Sequence, residues 1–405
     1  MTGAGLARTH ENHFGAVVLK NTNGGAMLAV AVILVACCLR APITCIGPVA
    51  DVIQGDLAID GGAMGSITSI PLVVFGLSSI LIGTLGRRHP AGALIGIGLV
   101  IVLAGLVCRS FLGTWGIFAG TAVVGLGIAF GNVLLPAVIK TYFPARIGRL
   151  TALYTAFMSV MSAVAGAISY PLYESFGWRA SLAVWTVLLL VTLMLWIPHR
   201  DRHISSPDSG EGMPMLKMLR CSTTWLIACY MGLQSLLFYT FVAWLSVILV
   251  SEGLAPDLAG YVTSMYMVMG IVGSLSLPVV AHGSDLRALG VVLGAVYFIG
   301  VLALAFSDSI VAVGAFVLCC GYCAGACISL SMLMFGLRTM RGSDSSALSG
   351  IAQSVGYLIA AVGPIAIGAV YTATGGWDSP LLILLFLTVV LAGLGYLIGR
   401  DRPVY

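Results

Sequence analysis

Arg40 stands in an apolar run that carries no other charge from Gly24 to Ala50. A guanidinium keeps its proton in a protein, and holding one at the centre of a membrane helix costs roughly 2.5–3.5 kcal/mol on insertion scales. Two kinds of chemistry offset that cost. An anionic or strongly polar ligand can neutralise the charge in a water-filled cavity, which makes Arg40 a binding group. Alternatively, the side chain snorkels to the headgroups or donates to helix carbonyls. At about 1.5 Å per residue from Gly24, Arg40 lies near or past the midplane, so that reach is long.

Few other polar side chains interrupt the apolar runs. Asn132 lies in Gly125-Leu-Gly127-Ile-Ala-Phe-Gly131-Asn132-Val-Leu-Leu-Pro136, where Pro136 lacks an amide and frees the carbonyl four residues back. The Asn132 side chain can donate to an anion or accept from Arg40, so a ligand site and a structural partner both fit. Gln234, Tyr239 and Trp244 share one run, and Gln353 and Tyr357 share another. Gln353 and Tyr357 are four residues apart and face the same way on a helix. The aromatic residues fit a cavity, an interfacial anchor or core filling, and Trp244 stands near the end of its run.

What is missing excludes several classes of function. Asp51, Glu252, Asp285 and Asp308 sit at the ends of runs, and the six histidines fall in tails, loops or boundaries. An intramembrane carboxylate relay for protons is therefore not expected. Ser and Cys lack a buried base to activate them, so an intramembrane enzyme is not expected either. Cys320, Cys323 and Cys327 share a helical face at metal-like spacing, but no histidine or carboxylate lies nearby, and small buried thiols suit helix packing. No metal or cofactor is expected.

The elements that must position these residues are membrane helices. Over 405 residues, 59% are hydrophobic and 8% charged, and mean hydropathy is +1.06, far from a soluble domain. Twelve apolar runs have spanning length: approximately 25–50, 63–85, 91–110, 115–140, 150–172, 178–197, 222–250, 258–281, 288–306, 309–335, 347–371 and 378–399. They are numbered spans 1 to 12 below. Of the 19 basic residues, all but Arg40, Arg109 and Arg179 fall on one side if the N-terminus is cytoplasmic, so both termini are expected inside. The net charge of +4 is scattered over short loops and gives no nucleic-acid signal. Pro198 to Arg220 is polar and central. It divides a tail at 1–24, a six-helix bundle at 25–197, a linker at 198–220, a second bundle at 221–400 and a tail at 401–405. Tyr173-Glu-Ser-Phe-Gly177-Trp178 in the first half resembles Tyr371-Thr-Ala-Thr-Gly375-Gly-Trp377 in the second, roughly 200 residues later. Two related halves of an all-α integral membrane protein suggest a carrier whose site lies between them and opens to each side in turn.

At Leu39-Arg40-Ala-Pro42 with Gly47-Pro48, at Gly131-Asn132 through Lys140-Thr-Tyr-Phe143-Pro144-Ala-Arg146 to Thr151-Ala-Leu-Tyr154, at Gly232-Leu-Gln234-Ser with Phe238-Tyr239 and Trp244-Leu245, and at Gly350-Ile-Ala-Gln353-Ser-Val-Gly356-Tyr357, the chain resembles major facilitator superfamily transporters. The subfamily is that of the cyanate permeases and 2-nitroimidazole transporters. The resemblance implies a bacterial inner-membrane carrier of small anions or small polar aromatics, with Arg40, Asn132, Gln234 and Gln353 lining the pathway. Two departures stand out. Gly83-Thr-Leu-Gly86-Arg87-Arg88 keeps the glycine and the arginines of the gating loop between spans 2 and 3 without its acid, and Trp244-Leu245-Ser246 has serine where the family has proline.

The expected function is therefore alternating-access transport of a small anion or polar compound, with Arg40 as charge partner and the protein acting as a monomer in the lipid bilayer. Importing a lone anion against an inside-negative potential costs about 2.3 kcal/mol per 100 mV, so exchange, facilitated movement or a proton riding with the cargo is expected. The alternatives are a drug efflux pump and a non-transporting receptor. A passive channel lacks the expected rotational ring of repeats.

Overall fold

The computed structural model describes residues 22–59, 61–204, 214–306 and 309–402, together with Val404. Residues 1–21 of the expected tail, residues 205–213 of the expected linker, Asp308 and the side chain of Asp51 lie outside the described residues. No strand occurs among the described residues; the helices satisfy their backbone amides within each segment, one of the two arrangements hydrocarbon permits.

Among the described residues, eleven helical stretches are long and apolar enough to cross a bilayer, and one of them, Pro144–His199, has 56 residues. That is more than twice the ~20 residues one crossing needs, and Gly177 breaks it with φ 80° and ψ 161°. The described residues thus cross twelve times, in two six-helix bundles. In the first bundle, span 1 is Thr22–Cys38 continued by Ala41–Thr44, span 2 is Gly61–Arg88, span 3 is Ala91–Phe111 and span 4 is Gly113–Tyr142. Spans 5 and 6 share Ile147–Ala183, divided at Gly177, and span 6 runs on through Trp185–Trp196. In the second bundle, spans 7 to 9 are Ser222–Ser251, Pro256–Val280 and Arg287–Phe306. Span 10 joins Ile310–Phe316 to Tyr322–Leu337 through a π turn, and spans 11 and 12 are Gly342–Thr374 and Asp378–Gly399.

The repeat read in the sequence is a turn. Gly177 and Gly375 both take positive φ, 80° and 72°, a conformation open to glycine at little cost. Each ends its helix, and the tryptophan that follows, Trp178 or Trp377, is buried. Leu77, Met194, Val311 and Phe386 lie exposed on the outer surface and form the apolar belt that faces lipid. Within the bundles, small residues let backbones touch, as at Gly290 and Gly395.

The ends of spans 2, 4, 8 and 10, the starts of spans 3, 5, 9 and 11 and the described parts of the central connection share one side of the molecule with the first and last described residues; it is called the terminal face here. Arg338 is buried there. It pairs with Asp401 at 3.0 Å and donates to the carbonyls of Ser284 and Gly399. On the same face, hydrogen bonds from Arg287 hold the Asp285 carboxyl down at about 2. The connection begins by packing on the first bundle: Trp196 donates to the Gly92 carbonyl at 2.8 Å, the Gly92 amide donates to the Arg202 carbonyl, and Ile204 is buried.

Candidate functional site

Span 1 is not one helix. Pro42 has no amide, and its ring clashes with the carbonyl four residues back, at Cys38. The helix accordingly stops at Cys38, and Arg40 takes φ −120° before the short helix Ala41–Thr44 begins. The sequence predicts a continuous run over 25–50, and the proline two residues beyond Arg40 is the reason for the difference.

The break turns Arg40 into a cavity of about 580 Å³, a volume that counts the part open to solvent. Arg40 is half-buried. Its Nη1 donates to the Tyr239 hydroxyl at 3.2 Å, and its guanidinium lies 5.7 and 5.8 Å from the ring centres of Phe238 and Tyr239, close enough for cation–π attraction. Tyr154 and Tyr357 lie within electrostatic reach of the same charge. Ser159 and Ser162 of span 5, Gln234 and Ser235 of span 7, Tyr266, Met267 and Gly270 of span 8, and Ala324, Gly325 and Ile328 of span 10 complete the wall. No other charged side chain lines the cavity among the described residues.

Of the residues singled out in the sequence, Arg40, Gln234 and Tyr239 meet on this cavity. The Gln234 amide nitrogen is engaged by its own helix, through Ser235 Oγ at 2.7 Å and the Met231 carbonyl. Asn132 and Gln353 are buried outside the lining and meet each other: Gln353 Nε2 donates to the Asn132 backbone carbonyl at 2.8 Å and to Ser349 Oγ at 2.8 Å. Tyr357 is buried with its ring 4.9 Å from Phe75 of the other half. Trp244 donates to the Pro364 carbonyl at 2.9 Å and packs on Trp377, bracing the second bundle away from the cavity. Span 7 runs without interruption through Trp244-Leu245-Ser246.

Below the cavity, toward the terminal face, the halves are sealed. Lys140 Nζ donates to the carbonyls of Gly336 and Thr339 at the end of span 10, where a cation also meets the negative end of the helix dipole. Ser346 Oγ donates to the Gly83 carbonyl at 3.3 Å, Ser354 Oγ bonds the Gly76 carbonyl, and Thr155 and Ser329 share a hydroxyl bond. Gly83 and Gly350 face each other so closely that a Cβ on Gly83 would stand 3.2 Å from the Gly350 Cα. Arg87 and Arg88 sit at the end of span 2, with Arg88 exposed, and neither makes a hydrogen bond or ion pair among the described residues. Lys140 thus carries a positive charge across this seam.

Sequence reasoning missed several of these residues. Thr155, Ser159 and Ser162 repeat at helical spacing on span 5, a legible polar face. Arg109, one of the three basic residues left outside the cytoplasmic count, is fully buried. It donates to the Pro42 carbonyl, and to Cys45 Sγ at 3.2 Å, and so holds the segment just past Arg40.

Twelve crossings in two related bundles, with a cation-bearing cavity between them and a seal on one side, define a polytopic membrane carrier. The sequence model of the Major Facilitator Superfamily matches residues 32–364. The chain belongs to this superfamily, within the subfamily of cyanate and 2-nitroimidazole transporters. It is 35% identical to the uncharacterized transporter YycB of Bacillus subtilis (strain 168), over 93% of this chain and 94% of that one. It is 31% identical to the 2-nitroimidazole transporter of Escherichia coli (strain K12), covering 93% and 96%, and 21% identical to the cyanate transport protein CynX of the same organism, covering 93% and 97%. Among solved structures, the superfamily transporter FucP in its outward conformation superposes with a TM-score of 0.74 at 15% identity, over 93% of this chain and 99% of that one.

Proposed function

We propose that this transporter moves a small anion or strongly polar compound across a bacterial inner membrane by alternating access, with Arg40 as the charge partner of the cargo. The carrying observation is a half-buried guanidinium that lines a cavity between the bundles and donates to one neutral hydroxyl. The relatives named for 2-nitroimidazole and cyanate support cargo of that size. Gln234 and Tyr239 contact the cargo beside Arg40. Asn132, Gln353 and Tyr357 support the floor, Trp244 braces the wall, and Arg87 and Arg88 lie at the gating face. Both termini are cytoplasmic by the distribution of basic residues, so a seal on the terminal face leaves the cavity opening outward. The working unit is a monomer of two bundles, 25–197 and 221–400, joined by 198–220, and it needs no cofactor.

A second reading, efflux of flat aromatic compounds, draws on Phe238, Tyr239 and Tyr266 in the lining. Thermal-shift measurements on purified protein with charged and neutral pairs separate the two: acetate against acetamide, benzoate against benzamide, and nitrate and cyanate beside 2-nitroimidazole. Stabilisation by the anions with none by the amides is expected. Equal shifts from benzoate and benzamide would favour the aromatic reading, and no shift from any anion would refute the anion site.

A further inference from the structure

Arg40 is the one charged side chain on the cavity wall among the described residues, and its one hydrogen bond there runs to Tyr239. Its nearest lining neighbours, Phe238 and Tyr239, present ring faces and a hydroxyl, which soften a positive charge without cancelling it. The site therefore holds about one net positive charge when empty and none when a monovalent anion is bound.

That difference bears on turnover. To face the terminal side, the carrier must break the Lys140, Ser346 and Ser354 contacts of the seal and close the other side over the cavity. Between those events the guanidinium faces no bulk water. Dehydrating a lone guanidinium is far more costly than dehydrating one already paired with an anion. We infer that this chain is an obligatory anion exchanger: it reorients with an anion on Arg40 and stalls when empty, so entry of one anion requires exit of another. The inference rests on the anion reading above. One-for-one exchange of monovalent anions moves no net charge, which removes the opposition of an inside-negative potential to lone anion entry.

The stall is measurable as a rate. Arg146 and Met340 are exposed on either side of the seal, so dyes attached there through azide-bearing residues leave the native cysteines in place. Single-molecule energy transfer in nanodiscs, in a zwitterionic buffer free of small anions, then counts openings of the terminal face. Arg40→Gln, which removes the charge, is expected to open about tenfold more often than wild type or more. Arg40→Lys, which keeps the charge, should stall as wild type does. Nitrate, acetate or benzoate should release the stall in wild type. Equal opening rates in wild type and Arg40→Gln without anion would overturn the exchange inference, as would an Arg40→Lys variant that opens as freely as Arg40→Gln. A wild type that none of the three anions speeds, beside a fast Arg40→Gln, would instead refute the anion reading.

Discussion

The backbone carbonyl of Asn132 in the first bundle accepts the side-chain amide of Gln353 in the second, at 2.8 Å. Pro136 stands four residues on and has no amide to offer that carbonyl, so a defect in one helix is the docking point for the other. Gln353→Met removes the donor and leaves a buried carbonyl without a partner, at a cost of about 1–3 kcal/mol. Thermal unfolding in detergent should show the loss. In a Pro136→Ala background, where the new amide takes the carbonyl, the same substitution should cost less. Equal costs in the two backgrounds would contradict this account of the joint.

Lys140 closes the terminal seam through the carbonyls of Gly336 and Thr339. Hydrogen bonds to a charged donor contribute about 1.5–3 kcal/mol, so Lys140→Met should speed hydrogen exchange across residues 336–346 by about tenfold or more. Lys140→Arg should retain most of the protection. Unchanged exchange in Lys140→Met would mean that the seam is held elsewhere.

Arg109 holds the Pro42 carbonyl and Cys45 just beyond the helix break that aims Arg40. Arg109→Leu is expected to weaken binding of a stabilising anion by about tenfold, with helical circular dichroism retained, because the orphaned carbonyl lets the break relax. In an Arg40→Ala background the same change should cost almost no further affinity. Additive losses would place the effect of Arg109 away from Arg40.

With Arg40 the one charged group on the cavity wall among the described residues, binding of a strong-acid anion such as nitrate should be flat from about pH 6 to about pH 9, since a guanidinium does not titrate there. A steep fall in affinity across that window, read by equilibrium binding, would require a titrating group at the site.

The twelve crossings were legible because length and apolarity alone decide them; the segments around Gly177 and Gly375 were legible as a repeat, and the positive φ that makes each a turn came only with the structure. The break in span 1 was present in the sequence as Pro42, yet its effect, turning Arg40 sideways, depends on where the carbonyl of Cys38 lies. Ser159 and Ser162 were legible with Thr155 as a polar face at helical spacing but were passed over, whereas Tyr266 was hidden because a lone tyrosine in an apolar helix carries no mark of the face it presents until the bundle is assembled. Asn132 and Gln353 read as cavity candidates from polarity, whereas a carbonyl freed by proline is an equally good partner for a buried amide. Arg109 was set apart only as a basic residue outside the cytoplasmic count, because its position two residues before the end of span 3 gives no hint that span 1 unwinds against it.

The central claim is that the guanidinium of Arg40 is neutralised by cargo. Equilibrium binding of the most stabilising anion to wild type, Arg40→Lys and Arg40→Ala tests it most directly. The account predicts a loss of about a hundredfold or more in Arg40→Ala, where the charge-assisted hydrogen bonds are gone, and a smaller loss in Arg40→Lys, which keeps the charge without the planar fork. Wild-type affinity in Arg40→Ala would contradict it.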